Sequence, residues 1–340
     1  MPGTDSPVEL ALQLMRVEST SGQEGQVVSL MERLLRERGW RVERIGVTEG
    51  RDALLATGDG GIDVTLSTHL DTVPPYIAPT LDGEVLRGRG ACDAKGIAAS
   101  MMCAASRLRD RGVRVALLFV VGEETTHDGA HAANARATAS RVIINGEPTE
   151  NTLAIGTKGA MRMIARARGR AAHSAYPQLG QSAIETLVER LSVLRSLQLP
   201  SDPVLGETTV NIGTVSGGVA DNVVAPWAEA RLMARLVSGE DEVFELFRAW
   251  AGDALTLEKG ITIAAVRLGV LPGYATSVAA YATDIPALSN WGTPYLYGPG
   301  SIHVAHTMDE CVRIADLDRA VEDYERIAVE SLALGDDRRA

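Results

Sequence analysis

The segment Ser67-Thr68-His69-Leu70-Asp71 closes an apolar run with an imidazole and a carboxylate two positions apart. In a strand, positions i and i+2 share a face, so His69 and Asp71 project together from the strand's end. A metal-ligating imidazole needs an acceptor for its second nitrogen, and this pair supplies both parts. Asp93 sits in the glycine-rich stretch Gly88-Arg89-Gly90-Ala91-Cys92-Asp93-Ala94-Lys95-Gly96, just before a helix, where strained backbone can aim one side chain. Taken alone it also reads as an N-capping aspartate. Glu123 and Glu124 end the aliphatic run Val115 to Val121; adjacent residues point oppositely, so one can ligate metal while the other handles protons. Glu147 follows a further apolar run, and His303 and His306 share a loop near the C-terminus, where spacing does not choose between them.

These groups need a scaffold that ends several strands in one place. Strand-like runs fall at Trp40 to Ile45, Ala53 to Ala56, Val64 to Ser67, Val115 to Val121 and Val142 to Ile144, with helical spacing over Pro7 to Arg16, Gly22 to Arg38 and Gly96 to Arg109. Gly39 is a plausible stop for the second helix. A strand–helix–strand unit in this half predicts an α/β sheet flanked by helices, and open sheets of that kind gather their sites outside the carboxyl ends of the strands. From about 160 the pattern changes. Strands are expected at Met161 to Ala167, Glu229 to Leu236 and Ile261 to Val266, with a helix over Ala183 to Leu194. We read 160–269 as an inserted α+β domain and 1–159 with 270–340 as the domain that holds the site, closed by an amphipathic helix from Leu317 to Leu334.

The 340 residues, 45% of them apolar, suffice for two cores. A net charge of −11 argues against a phosphate-tracking surface and hence against nucleic acid. No aliphatic run approaches the length of a membrane span, and Met1 to Pro7 lacks the basic and apolar regions of a leader, so no membrane partner and a cytoplasmic location are expected. Cys92, Cys103 and Cys311 have no paired spacing and read as reduced thiols.

Taken in order, His69-Leu70-Asp71, Gly88-x-Gly90 with Asp93-Ala94-Lys95-Gly96, Glu123-Glu124, Gly146-Glu147-Pro148-Thr149 and Ala305-His306-Thr307-x-Asp309-Glu310 resemble the dinuclear zinc metallopeptidase and deacylase family of acetylornithine deacetylase, succinyl-diaminopimelate desuccinylase, aminoacylase and glutamate carboxypeptidase. The resemblance spans nearly the whole chain. It implies a catalytic domain with a mixed sheet, an inserted lid and dimerisation domain, and two zinc ions per subunit, replaceable by cobalt or manganese. By the same resemblance Asp93 bridges the ions, His69 and Glu147 complete one, Glu124 and His306 complete the other, and Glu123 is the general base. The family's ligand lies in an Ala-His-x-x-(Asp/Asn)-Glu context, which selects His306 over His303.

Ala171-Ala172-His173-Ser174-Ala175 is similar to the segment bearing the family's lid histidine, which in dimeric members reaches the partner subunit's site and donates to the developing oxyanion. Asn222, Arg235 and Gly300 match positions that hold substrate, the arginine being suited to a carboxylate. One departure is Met233, where relatives often carry an acid two positions before the arginine. The run from Asp71 to Asp93 also lacks a tryptophan-bearing insert common in related deacetylases.

Two divalent ions roughly 3.5 Å apart acidify a shared water and polarise a carbonyl, so the residue chemistry agrees with the resemblance. Gly146-Glu147-Pro148-Thr149, Gly156-Thr157-Lys158-Gly159 and Tyr297-Gly298-Pro299-Gly300-Ser301 are most similar to acetylornithine deacetylase relatives, which favours an N-acyl amino acid as substrate and a homodimer as the assembly. Desuccinylase, carrier-linked amino-acid hydrolase and dipeptidase or carboxypeptidase activities stand as alternatives, as does a non-catalytic binding protein on the same fold. His127-Asp128-Gly129-Ala130-His131 resembles a helical zinc-protease motif but has Asp in place of Glu and a helix-breaking Gly. Gly90 to Gly96 lacks the ending of a phosphate loop, and Cys92 reads as a small packed residue.

Overall fold

A computed structural model describes residues 6–136 and 139–337. The chain divides into two compact units, the first comprising Met1–Ile155, Leu268–Ser277 and Thr283–Ala340, the second Gly156–Arg267 and Val278–Ala282. The first unit is built on a mixed sheet whose strand order is Arg41–Thr48, Arg51–Thr57, Val115–Val120, Val64–His69, Val142–Asn145, Thr293–Leu296 and then the strand that begins at Leu153. The four strands from Val115–Val120 to Thr293–Leu296 are mutually parallel. Antiparallel neighbours flank them.

A parallel strand buried on both faces must be apolar throughout, and Val115–Val120 is. Its Leu117 and Phe119 enter one core with Ile97, Met101 and Leu108 of helix Lys95–Asp110 and with Leu317, Val321 and Tyr324 of the terminal helix Ile314–Asp337. Its Ala116, Leu118 and Val120 enter a second core with Ala130, Ala133, Leu288 and Trp291. The small residues of helix Lys95–Asp110 allow the terminal helix close, and Ser100 Oγ donates to Leu317 O at 3.1 Å. Because the central strands are parallel, His69 and the segments Gly122-Glu123-Glu124, Gly146-Glu147 and Gly298-Pro299-Gly300 all leave the sheet at the same edge.

The second unit is a four-stranded antiparallel sheet, in order Thr209–Gly217, Trp227–Leu236, Gly159–Arg168, Thr256–Ile263. Alternation divides its faces. Met161, Met163 and Ala165 join Ala230, Leu232 and Ala234 and the helices Ala183–Leu194 and Glu240–Ala251 in one core, while Arg162, Arg166, Arg231 and Arg235 occupy the other face. Ser182 caps the first helix by accepting the Glu185 N–H at 3.2 Å. The edge strand Thr209–Gly217 is exposed along almost its whole length.

Some elements differ from the sequence expectation. The strand expected over Ile261 to Val266 is Thr256–Ile263 followed by a separate Val266–Arg267, because the chain leaves the four-stranded sheet after Ile263 and Val266 and Arg267 pair instead with Thr157 and Gly156. Asp128–Asn134 is helical despite Gly129. Among the described residues no helix is long and apolar enough to cross a membrane.

Candidate active site

Asp71 organises the edge where the parallel strands end. Its Oδ1 accepts the Glu123 N–H at 3.1 Å, and its Oδ2 accepts the Glu124 N–H at 3.2 Å and the Ser21 hydroxyl at 2.7 Å. His69 turns Nδ1 to the Asp71 main-chain oxygen at 2.9 Å, with the Asp71 carboxylate at 3.5 Å. The ring's nearer acceptor is therefore the carbonyl, and the carboxylate's bonds go to Ser21 and to the turn that carries both glutamates. Gly122 is required in that turn: φ is +77°, and a Cβ there would lie 2.2 Å from Asp128 Oδ1 and 2.6 Å from a nitrogen of Arg51.

The ring orientation sends His69 Nε2 to Asp93 Oδ1 at 2.9 Å. The other Asp93 oxygen lies 3.2 Å from His306 Nε2, which is also 2.9 Å from Glu124 Oε1. One carboxylate thus faces two imidazoles, one through each oxygen. Ligand atoms of His69, Asp93 and Glu124 all lie within 4.8 Å of one another. Glu147 is 4% exposed, and its Oε1 has no hydrogen-bond partner among the described residues. The His306 loop brings His306, not His303, to this cluster; His303 is exposed, and its main-chain N–H donates to Ser301 Oγ at 3.3 Å.

The electrostatics of the cluster call for cations. Burial drives Glu123 well above the ordinary carboxylate range, and the charges of Glu147, Asp284 and Glu124 add to it. Burial likewise drives Glu147 well above it, with Asp93, Asp284 and Glu124 adding. Burial pushes Asp93 up too, but the hydrogen bonds of His306 and His69 outweigh it and hold the group low. His306 is raised to about 10, first by its bond to Asp93 and then by Glu124. Buried carboxylates in excess of their partners are stable where they bind metal. The oxygen-rich donor set with two imidazoles, and the orphaned Glu147 oxygen, fit hard or borderline divalent ions.

Several residues of these motifs shape the site through contacts that the sequence does not record. Glu310 Oε1 accepts the N–H groups of Gly90 at 2.9 Å, Cys92 at 3.3 Å and Asp93 at 3.3 Å, while Oε2 pairs with buried Arg89 at 2.5 Å. Lys95 Nζ donates to Val17 O at 2.6 Å, and burial lowers its pKa to about 7. Cys92 is buried, and burial together with Glu310 and Asp93 pushes its thiol well above the ordinary range, as suits a packed rather than a nucleophilic residue. Gly300 has φ of +83°, and a Cβ there would lie 2.4 Å from Cys92 Cβ, so only glycine fits the loop against that thiol. His127 is buried and His131 exposed, so the i, i+4 pair forms no shared site.

In the second unit, His173 and Asn222 lie on adjoining exposed loop segments: His173 bridges Val223, and the Ser174 N–H donates to Asn222 O at 3.0 Å. Ala175 N–H donates to His173 Nδ1 at 3.1 Å. Arg235 is half-buried and lowered from the usual arginine range, by burial and by the neighbouring Arg162. Sequence reasoning missed Arg162. Farther along the same face, Glu229 pairs with Arg166 at 2.7 Å and Arg231 at 3.2 Å. Among the described residues no acid pairs with Arg162 or Arg235.

A cluster of buried carboxylates and imidazoles at the carboxyl edge of parallel strands defines a metal-dependent hydrolase. The chain belongs to Peptidase family M20/M25/M40, whose pattern matches residues 65–330, and it is a metallopeptidase of that family. It is 36% identical over 350 residues to a Peptidase M20 domain-containing protein of Schizosaccharomyces pombe, covering 98% of this chain and 86% of that protein. A probable carboxypeptidase of Paracoccidioides brasiliensis is 35% identical over 376 residues, covering 95% of this chain and 85% of its own. The fold recurs in aminopeptidase PepT from Bacillus cereus, with a TM-score of 0.80, 20% identity and coverage of 97% of this chain and 99% of that one.

Proposed function

We propose that this chain is a two-metal amidohydrolase that removes the last residue, free carboxylate included, from an N-acyl amino acid or a short peptide. The observation that carries the reading is Asp93, whose two oxygens face separate imidazoles, His69 at 2.9 Å and His306 at 3.2 Å. Asp93 would be shared between two ions, with His69 and Glu147 completing one and Glu124 and His306 the other. When bound, such ions supply Lewis acidity that polarises the scissile carbonyl and acidifies the attacking water. Zinc suits this donor set, and cobalt or manganese can replace it.

Glu123 holds no ligand position in this scheme. It takes the proton of the attacking water on its carboxylate and returns it to the departing amine nitrogen, which leaves as a neutral amine. Asp71 fixes the backbone that carries Glu123 by accepting its main-chain N–H. His173 would donate to the oxygen that becomes negative as the carbonyl is attacked. Arg235 and Arg162, which no acid pairs with among the described residues, are suited to the substrate's free carboxylate, with Asn222 and Gly300 as further substrate contacts. The relative named a probable carboxypeptidase supports cleavage beside a C-terminal carboxylate. The motifs around Glu147 and Gly300 favour an N-acyl amino acid within that class.

Exposed Ile184, Val188, Val215 and Trp227, together with the open edge strand, support association of the second unit with its counterpart in a homodimer. A panel of N-acetyl amino acids, dipeptides and the C-terminal amides of both, assayed with zinc or cobalt, tests the substrate reading. The free acids should be cleaved and the amides spared. Equal cleavage of acids and amides would exclude carboxylate recognition.

A further inference from the structure

His127 is the buried polar group that lies next to the proposed base and has no part in the scheme above. Its Nδ1 is 2.8 Å from Asp284 Oδ1 and 4.0 Å from Glu123 Oε1. The backbone turns tightly to put it there. The N–H groups of Thr126 and His127 both donate to Gly122 O, at 3.0 and 2.8 Å, and His127 takes a left-handed φ of +54° before the helix Asp128–Asn134 begins. A non-glycine residue in that region is uncommon and persists where its surroundings over-determine it.

Asp284 is 1% exposed, and among the described residues its Oδ2 has no hydrogen-bond partner, so His127 is the group that offsets its burial. A buried carboxylate with a single imidazole partner is costly, and a purely apolar contact would close the same space more cheaply. The segment holding Asp284 is already tied to the helix Asp128–Asn134, because the main-chain N–H and side-chain amide of Asn290 donate to Asn134 Oδ1 and O at 2.8 and 3.0 Å. Joining two elements therefore does not account for the side-chain pair.

We propose that His127, clamped by Asp284, is a positioning residue for Glu123: the fixed imidazole walls the carboxylate from behind and holds it turned toward the reacting water. This rests on the reading of Glu123 as the base. Asp284 fixes the ring by accepting from Nδ1, and the ring in turn restricts the carboxylate 4.0 Å away.

The test uses the zinc-reconstituted full chain, with the N-acetyl amino acid or dipeptide that the wild type cleaves fastest. His127→Leu should lower kcat about 10-fold with KM within about twofold and metal content unchanged, and Asp284→Ala, which removes the acceptor of Nδ1, should do the same. His127→Asn, which keeps a donor near Nδ1 and tolerates the left-handed backbone, should recover kcat to within about threefold of wild type. In a Glu123→Gln background His127→Leu should have no further effect, since residues that act through one group are non-additive. A loss of the same factor in both backgrounds would show a merely structural role and overturn the proposal. So would a wild-type kcat in His127→Leu beside an impaired Glu123→Gln. A wild-type kcat in Glu123→Gln would overturn the base assignment and this proposal with it. If His127→Leu does not fold, Asp284→Ala carries the same expectations. Nitrogen-15 NMR of the histidines gives a readout independent of turnover: His127 should carry its proton on Nδ1, and an Nε2–H tautomer would reject the clamp.

Discussion

Glu310 accepts the main-chain N–H of Asp93 at 3.3 Å. The same oxygen also accepts Gly90 and Cys92, so one carboxylate shapes the turn that aims Asp93. The Gly88 N–H donates to Glu310 O at 3.0 Å, and Arg89 donates to Thr307 O at 3.2 Å. The turn bearing Asp93 and the loop bearing His306 are thereby one unit, which explains how two proposed ligands more than two hundred positions apart meet within 3.2 Å.

Arg89 is 2% exposed and is the ion-pair partner of Glu310, so Arg89→Met leaves a buried carboxylate unpaired. Breaking one side of a buried pair costs about 3–5 kcal/mol. Urea unfolding of the metal-free protein should show a loss of that size. A variant as stable as the wild type would show that Glu310 is held by its main-chain donors alone.

Metal analysis after reconstitution should find about two ions per chain in the wild type and far fewer in Asp93→Ala, because both proposed sites share that carboxylate. Glu147→Gln should weaken binding less, since the change touches one site. A well-folded wild type that binds no zinc, cobalt or manganese would remove the two-metal scheme.

Much of the site was legible because it lies where strand periodicity stops. His69, Glu123, Glu124 and Glu147 each follow a run of apolar residues, and parallel strands deliver such positions to one edge. The helix Glu240–Ala251 was equally readable from Val243, Phe247 and Trp250 at helical spacing, yet went unassigned. The roles of Glu310 and Arg89, which stand inside quoted motifs, and of Asp284, which stands in none, were not readable in the same way. Each acts through a partner far off in sequence, 221 positions for Arg89 and Glu310 and 157 for His127 and Asp284, and no local period records such a pairing. His127 was set aside because the chain around it mimics a helical metal motif, whereas its backbone lies outside the helix.

Glu123→Gln should keep its metal and lose about 10²-fold or more in kcat, since the amide cannot accept the water's proton. Glu124→Gln should lose metal as well, because its Oε1 belongs to the cluster with Asp93 and His306. Paired metal analyses and kinetics separate the roles. Normal turnover by Glu123→Gln would reverse the assignment of the two glutamates.

Arg162→Ala and Arg235→Ala should each raise KM about 10-fold or more for substrates with a free carboxylate, as loss of a charge-assisted contact would. Residual cleavage of C-terminal amides should be unaffected by either change. If Arg162→Ala leaves KM unchanged while Arg235→Ala raises it, the second guanidinium is surface charge and not part of carboxylate recognition.

His173 is exposed on the second unit, its Nδ1 already engaged by the Ala175 N–H at 3.1 Å, which leaves Nε2 as the atom able to donate outward. His173→Ala should lower kcat about 10²-fold with metal content unchanged, the loss expected for an oxyanion donor. If the protein is a homodimer in which this histidine serves the partner's site, two inactive variants should rescue each other. A dimer of one His173→Ala and one Glu123→Gln subunit has one site lacking both groups and one site with both. Random exchange makes about half the dimers mixed, so activity should return to roughly one quarter of wild type per site. Mixing should restore nothing if the histidine serves its own subunit, because every site then lacks one group. Native mass spectrometry must show subunit exchange in the same sample; exchange without recovered activity would reject donation across the dimer.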